Sequence, residues 1–177
     1  MIKMATKKTA MFTLTERLTI SAAVTDTFAT IDLGSYVDVG DRQALQVHSV
    51  DFIYQGATAN AGVPGALPAT HSAIVQVTDL NRGGLVFAND RSLVASAALY
   101  ESASGDLNME SDLYPDNYGK GSDDGRYVVN DQLYITGRCT GTPSSDINVT
   151  IRVNASIVSL SAKDFMAIAI QSTAADN

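Results

Sequence analysis

The sequence is poor in the residues that build most catalytic and metal centres. Its 177 residues include no tryptophan, one cysteine and two histidines. The single cysteine, Cys139, excludes an internal disulfide and a cysteine-based zinc site within one chain. Neither His48 nor His71 has a metal-ligand cluster at suitable spacing, and we expect His48 to pack or hydrogen-bond within a strand. Because no nucleophile elbow, phosphate-binding glycine loop or dinucleotide fingerprint is present, we do not expect an enzyme.

Charged residues are also scarce, and they are unevenly distributed. They make up 18% of the chain, against roughly 25% in an average globular domain. The formal net charge of −7 argues against a basic nucleic-acid-binding protein. Residues 1–20 hold four basic residues against one acidic residue, whereas residues 101–125 hold seven acidic residues against one lysine. Surface polarity must then come mainly from Ser, Thr, Asn and Gly, which is typical of an all-β protein or of one covered by copies of itself.

Long apolar runs are absent as well. No stretch approaches the roughly twenty apolar residues of a membrane span, and no apolar run suited to export follows the first lysines. We therefore expect a soluble intracellular product. The length suits one well-filled domain, which we place at residues 12–177, after a flexible basic N-terminal arm at residues 1–11.

The clearest positive signal is the stretch from residue 126 to residue 170. Apolar residues alternate with polar ones from Ile147 to Ile157, a period that predicts a half-buried antiparallel strand. A second sheet-forming segment runs from Tyr127 to Ile135. The residues between them, 136–146, are rich in Gly, Pro and Ser and predict a hairpin that pairs the two strands. Ser161, followed three residues later by Asp164, predicts the capped start of a short C-terminal helix.

The rest of the chain predicts more strands joined by loops. Strands are expected near residues 12–20 and 27–33, and a long strand with an irregularity between Val47 and Val50. Residues 56–71 form a long loop of small apolar residues, which we expect to pack against another subunit. We further expect a strand through residues 74–77 and a tight turn at 81–84 that leads into a strand at 85–88. The segment at 89–102 fits either a helix or a strand.

The acidic stretch contains the sharpest candidate for a binding site. Five aspartates in it offer hard oxygen ligands that suit calcium: Asp106, Asp112, Asp116, Asp123 and Asp124. Their spacing does not match an EF-hand loop. A solvated acidic loop that keeps the protein soluble is the alternative interpretation, and no other cofactor is indicated.

About eight β segments and one terminal helix predict an all-β, two-sheet antiparallel sandwich, most plausibly a single jelly roll. The ending INVTIRVNASIVSLSAKDFMAIAIQ resembles the C-terminal ends of single-jelly-roll capsid proteins of small tailless viruses, and Lys3, Lys7 and Lys8 are similar in placement to the inner arms of such proteins. The resemblance implies a structural virion protein that self-assembles into an icosahedral shell. It further implies copies of itself as partners, with or without a second coat protein, and weak non-specific nucleic-acid contact through those lysines. The locations implied are the virion and, during assembly, the host cytoplasm.

A jelly-roll binding module, such as a virion spike or a carbohydrate-binding domain, is the alternative function. Without tryptophan, such a module needs an exposed platform of tyrosines. The candidates are Tyr100, Tyr114, Tyr118 and Tyr127.

Overall fold

The structure, a computed structural model, describes residues 5–21, 25–59, 62–63, 65–111 and 125–173. Nearly all regular structure in these ranges is β. The elements in chain order are β1 Ala5–Lys7, β2 Phe12–Ile20, β3 Thr27–Asp32, β4 Gln43–Gln55, β5 Ser72–Thr78, β6 Leu93–Glu101, β7 Leu107–Ser111, β8 Arg126–Val128, β9 Gln132–Cys139, β10 Ile147–Leu160 and α1 Ala162–Thr173.

The strands form two antiparallel sheets. In one, called here the β10 sheet, β10 pairs with β1 and β2 on one side and with β4 on the other, and β8 pairs with β4. In the other, the β9 sheet, the order is β3-β9-β5-β6-β7. Without β1 and β7, the sheets read β2-β10-β4-β8 and β3-β9-β5-β6, which is the strand order of an eight-stranded jelly roll. The predicted fold class is confirmed.

The core lies between the sheets and follows from the alternation in β10. Ile147, Val149, Ile151 and Val153 are fully buried, while the residues between them face outward. Each such side chain contributes about 1.5–3 kcal/mol when fully removed from water. The predicted apolar face of this strand is therefore confirmed.

The predicted pairing of the last two strands is wrong. β9 pairs with β3 and β5, whereas β10 pairs with β2, β1 and β4, so residues 140–146 cross from one sheet to the other. Alternation in a sequence shows which face of a strand is buried, but a strand has the same pattern whether its sequence neighbour lies beside it or opposite it.

The predicted irregularity in β4 is a β-bulge. The register with β10 passes from Ser49 opposite Asn154 directly to Val47 opposite Ala155. His48, the extra residue, is buried, and its Nε2 lies 2.9 Å from Ser156 Oγ. This confirms the expectation that His48 is a hydrogen-bonded residue of a strand.

The C-terminal helix begins as predicted. The backbone N–H of Asp164 donates to Ser161 Oγ at 3.2 Å, and Ser161 Oγ donates to Asp164 Oδ2 at 2.6 Å. Phe165 packs into a second apolar cluster with Val158 and Leu160 of β10. None of the described helices is long and apolar enough to cross a membrane.

Residues expected in the flexible arm are partly built into the sandwich. Ala5–Lys7 pair with β10, and the N–H of Lys8 donates to the carbonyl of Ile157 at 2.8 Å. Ala5 is buried because β10 is long enough to pair with two separate strands along one edge. The expectation of a flexible arm is thus wrong for residues 5–8, while residues 1–4 lie outside the described ranges.

The structure also bears on the predictions for the 56–71 loop and for residues 89–102. In the 56–71 loop, Val63, Ala66 and Leu67 are buried in the core of their own chain, so these side chains do not serve a subunit contact. The open choice at residues 89–102 is decided in favour of a strand, β6.

Candidate interaction surface

The loop between β5 and β6, residues 79–92, folds back over the outer face of the β9 sheet and is called here the Phe87 loop. Gln76 lies between Val75 and Val77, whose side chains enter the core, so its own side chain points outward under this loop. Its Nε2 donates to the carbonyl of Val86 at 2.9 Å, and the N–H of Val86 donates to Gln76 Oε1 at 2.8 Å. Gln76 is only 8% exposed. One amide side chain therefore holds the loop on the sheet through both of its polar atoms.

A second set of contacts joins the two ends of the loop. Arg82 Nη2 lies 3.0 Å from Asp90 Oδ1, and Arg82 Nε donates to Ser92 Oγ at 3.0 Å. Asp90 Oδ1 also accepts from the N–H of Ser92 at 2.8 Å and from its hydroxyl at 2.7 Å. Partial burial tends to raise the pKa of Asp90, but the bonds from Ser92 and Arg82 outweigh it and hold that pKa below its usual value. The loop is thus braced at its base as well as at Val86.

The loop presents an aromatic side chain to solvent. Phe87 follows the anchored Val86 and is 86% exposed, more than any other large apolar side chain in the described ranges. The N–H of Asp90 donates to the carbonyl of Phe87 at 3.0 Å, which closes a turn at this position. The braced backbone therefore holds a phenyl ring outside the fold.

Beside this loop lies an uncharged groove of about 400 Å³, called here the Phe28 groove. Phe28, 57% exposed, stands on its β3 side. The lining residues are Phe28, Ala29 and Thr30 of β3, Tyr134, Ile135 and Thr136 of β9, and Asn81 and Gly83 of the Phe87 loop. Gly83 adopts a φ of 69°, a conformation that favours glycine, and its N–H donates to Asn81 Oδ1 at 3.1 Å. The groove thus combines an aromatic wall with hydroxyl and amide groups.

Two ion pairs lie near the groove, and the exposed Asp32, two residues along β3 from Thr30, accepts a bond from the N–H of Gly34. Arg138 Nε, two residues along β9 from Thr136, lies 2.6 Å from Asp26 Oδ1. The guanidinium of Arg82 is paired with Asp90, as described above. A partner that covers the groove would therefore meet compensated charges at these two pairs.

A second polar site lies at the root of the Phe87 loop. The side chain of Asp79 is 2% exposed, and its Oδ2 lies 3.4 Å from Arg126 Nη2. Burial raises the pKa of Asp79 to about 6, and the guanidinium groups of Arg126 and Arg82 only partly oppose this. Oδ1 of Asp79 has no hydrogen-bond partner among the described atoms. Arg126 also donates to the carbonyl of Arg91, so β8 is tied to both ends of the loop.

A small cavity of about 170 Å³ opens beside Asp79 and Arg126. Tyr127 of β8 and Ile168 and Gln171 of α1 complete its described lining together with Gly125. The root of the Phe87 loop, β8 and the terminal helix therefore meet at one buried carboxylate.

Of the predicted calcium ligands, the structure describes only Asp106. Its Oδ2 accepts from Ser104 Oγ at 2.7 Å, and its N–H donates to Ser102 Oγ at 3.1 Å, within the turn between β6 and β7. Asp112, Asp116, Asp123 and Asp124 lie outside the described residues. Within the described ranges, no group of three or more His, Cys, Asp or Glu side chains could hold a metal ion. A calcium site in the acidic loop stays a prediction.

The other predicted contact residues are not gathered into one site. Lys7 and Lys8 are exposed at the β1 edge of the β10 sheet, and Lys3 lies outside the described residues. Tyr100 and Tyr127 are half-buried and belong to different sheets. Tyr114 and Tyr118 also lie outside the described residues. The described tyrosines therefore form no common platform.

The sequence analysis missed the Phe28 groove and the Phe87 loop. It predicted a strand at residues 85–88, where the structure has an irregular loop. One signal for the loop was Gln76, an amide inside the apolar run from Ala73 to Val77. Another was Phe28, which occupies the outward-facing register of β3 together with Thr30 and Asp32.

No protein-family model and no curated protein matches the chain. The solved structures that match the chain include polyomavirus VP1 proteins. The unassembled Merkel cell polyomavirus VP1 pentamer matches with a TM-score of 0.45 and 8% identity over 89% of this chain and 98% of that chain. The unassembled KI polyomavirus VP1 pentamer matches with a TM-score of 0.44 and 11% identity over 90% of this chain and 100% of that chain. At such scores the assignment of the jelly roll rests on the strand order of this chain.

Proposed function

We propose that this chain is a structural virion protein whose copies self-assemble into an icosahedral shell. The observation that carries the proposal is a jelly-roll sandwich that leaves large apolar side chains uncovered by its own fold. The most exposed of these in the described ranges are Phe28, Val39, Phe87, Met109, Met166 and Ile170.

The composition supports contact between copies. Only 18% of residues are charged, and four of the charges beside the Phe28 groove form two ion pairs, Arg82–Asp90 and Arg138–Asp26. Charged residues are depleted and aromatic residues enriched in the centres of protein interfaces. A surface of this kind loses little solvation when a second copy covers it. Repeated modest contacts around symmetry axes would then close a shell whose stability depends on protein concentration.

Copies of the chain are the partners in this proposal, with or without a second coat protein. Lys7 and Lys8 stand exposed at one edge of the β10 sheet, where they provide two positive charges for weak, salt-sensitive contact with nucleic acid; Lys3 adds a third in the sequence. The proposed locations are the virion and the host cytoplasm during assembly.

Negative-stain microscopy and light scattering of the purified protein test the proposal. Samples should cover a range of protein and salt concentrations, each with and without a calcium chelator. Closed particles of uniform size are expected at high protein concentration, and their loss on chelation would support the calcium site. A monodisperse monomer or trimer under every condition would overturn self-assembly. If such a small oligomer also bound immobilised glycans, a binding module that uses the aromatic Phe28 groove would replace the shell.

A further inference from the structure

We infer that two copies of this chain pair through the outer faces of their β9 sheets, each inserting Phe87 into the Phe28 groove of the other. This inference rests on the proposed self-assembly and names one of its contacts.

The first step is geometric. The Phe87 loop is anchored over Gln76 of β5, whereas the groove lies between β3 and β9. The order β3-β9-β5 places the anchor two strands from β3, or about 10 Å across the sheet. Both features belong to the same outer face. A two-fold axis parallel to the strands, midway between two facing sheets, exchanges the two sides of that face and sets each projecting ring opposite a groove. The contact is self-complementary, as a two-fold interface requires.

The second step is chemical. The groove offers about 400 Å³ and has no charged lining residue, so inserting a phenyl ring leaves no charge buried without a partner. Phe28 and Tyr134 supply aromatic surface for a second ring. The chain has a net charge of −7, so copies repel one another on average. The ion pairs Asp26–Arg138 and Arg82–Asp90 add no net charge to this face, which favours the approach of a second copy there.

The Phe87 loop is also rigid before the two copies meet. Ordering a loop on association costs conformational entropy. The Phe87 loop is already ordered by Gln76 and by the contacts among Arg82, Asp90 and Ser92. The other exposed apolar side chains of similar size include the methionines Met109 and Met166, whose long side chains lose more rotamer freedom on burial. Met166, which is 58% exposed on α1 and belongs to neither the Phe87 loop nor the Phe28 groove, supplies a control.

Crosslinking between two single variants tests the reciprocal contact. Ala88→Cys, which lies exposed beside Phe87 and keeps its ring, and Thr30→Cys are purified separately, mixed, and treated with a short bifunctional maleimide. The native Cys139 is buried, and burial raises the pKa of its thiol, so it should not react. Crosslinked dimers are expected in the mixture and not in either variant alone. A mixture of Met166→Cys with Thr30→Cys is the matched control and should stay uncrosslinked. No dimer in the first mixture, or equal dimer in the control, would overturn the inference.

Sedimentation velocity over a range of protein concentrations supplies the second measurement. Phe87→Ser should weaken association by at least about a hundredfold, because each dimer loses two buried phenyl rings. Met166→Ser should change it by less than about threefold, and the circular dichroism spectra of both variants should match that of the wild type. If the wild type forms particles and Phe87→Ser forms them equally well, this contact is wrong and the shell stands. If the wild type remains monomeric at every concentration, the proposed function and this contact both fail.

Discussion

The outer faces of the two sheets differ in how they meet solvent. On the β10 sheet, threonine and asparagine side chains bond to one another across strands: Thr13 Oγ1 donates to Asn154 Oδ1 at 2.7 Å, and Thr19 Oγ1 donates to Asn148 Oδ1 at 2.8 Å. The second Asn154 group, Nδ2, donates to Ser49 Oγ on β4 at 2.9 Å. This face is a polar ladder that water can cover without a partner.

The β9 sheet is covered instead by a loop of its own chain. Both polar atoms of the Gln76 side chain are hydrogen-bonded to that loop. The outer face of this sheet therefore exposes Phe87 and Phe28 beside an uncharged groove. A single outward-facing residue can therefore give the outer face of one sheet a different surface from that of the other sheet. On the β9 sheet, one outward amide is bonded to a loop that carries apolar groups.

The largest loss of stability is expected from a substitution on the buried face of the β10 sheet, and a neighbouring residue on the solvated face of the same strand supplies the comparison. Ile151→Ala removes a fully buried side chain from the centre of β10 and should lower the free energy of unfolding by about 2–5 kcal/mol. Its neighbour Thr150 points outward, and Thr150→Ala should cost less than about 1 kcal/mol. Urea unfolding of the two variants measures both. Equal losses would show that the face assignment of this strand is wrong.

The next effect concerns the root of the loop that covers the β9 sheet. Because burial raises the pKa of Asp79 from 3.8 to about 6, the folded state favours the protonated form. The stabilisation of the folded state by the proton on Asp79 is complete below pH 3.8 and is lost as the pH rises through about 6. It amounts to about 3 kcal/mol at most.

Asp79→Asn keeps the shape and removes this titration. We expect the variant to be about 1–3 kcal/mol more stable than the wild type at pH 7.5, and its stability to vary less between pH 4 and pH 7. Thermal or urea unfolding across that pH range measures the change. Asp106→Asn, at an exposed turn, is the control and should not raise the stability at pH 7.5. A loss of stability at pH 7.5 in Asp79→Asn would mean that the ion pair with Arg126 outweighs the cost of burial.

Much of the fold could be predicted because the alternation in β10 and the cap at Ser161 are local signals. The bulge near His48 could be predicted for the same reason, since the apolar period shifts by one residue there. The crossing of residues 140–146 between the sheets could not be predicted, because pairing partners are set by packing between distant strands such as β9 with β3.

The interaction surface was less accessible to sequence reasoning. Its groove joins residues about 100 positions apart, such as Phe28 and Tyr134, and no local pattern links them. The apolar residues 85–88 also fit a strand, and only the bonds from Gln76 to Val86 show why they form a loop instead. The sequence could not show whether the apolar residues Val63, Ala66 and Leu67 are buried in the core of their own chain or against a partner, because both kinds of burial require apolar side chains.

Removing the side-chain amide of Gln76 should release the Phe87 loop from the outer face of the β9 sheet and leave that face uncovered, as the outer face of the β10 sheet is. Gln76→Ala leaves the N–H and carbonyl of Val86 without their partner, so we expect a loss of about 1–3 kcal/mol in unfolding free energy. Amide hydrogen exchange in residues 80–88 should accelerate, while exchange in β2 and β10 changes only in proportion to the global loss. Gln76→Glu is an informative companion, since it keeps one acceptor for the Val86 N–H but loses the donor. Unchanged exchange in the loop would show that Arg82 and Asp90 hold it without Gln76.

The smallest effect is expected on the polar ladder of the β10 sheet. Asn154→Ala removes the bonds to Thr13, Ser49 and Asp51. Thr13 and Asp51 are exposed and Ser49 is partly so, so water can replace the lost partner. The free energy of unfolding should therefore fall by only about 0.5–1 kcal/mol, and self-association should stay within about twofold of the wild type because this face has no part in the proposed contact. Sedimentation velocity beside Phe87→Ser compares the two faces directly. A loss of association in Asn154→Ala as large as that in Phe87→Ser would assign the contact between copies to the polar ladder, because only a partner seated on that ladder could make a solvated asparagine matter so much.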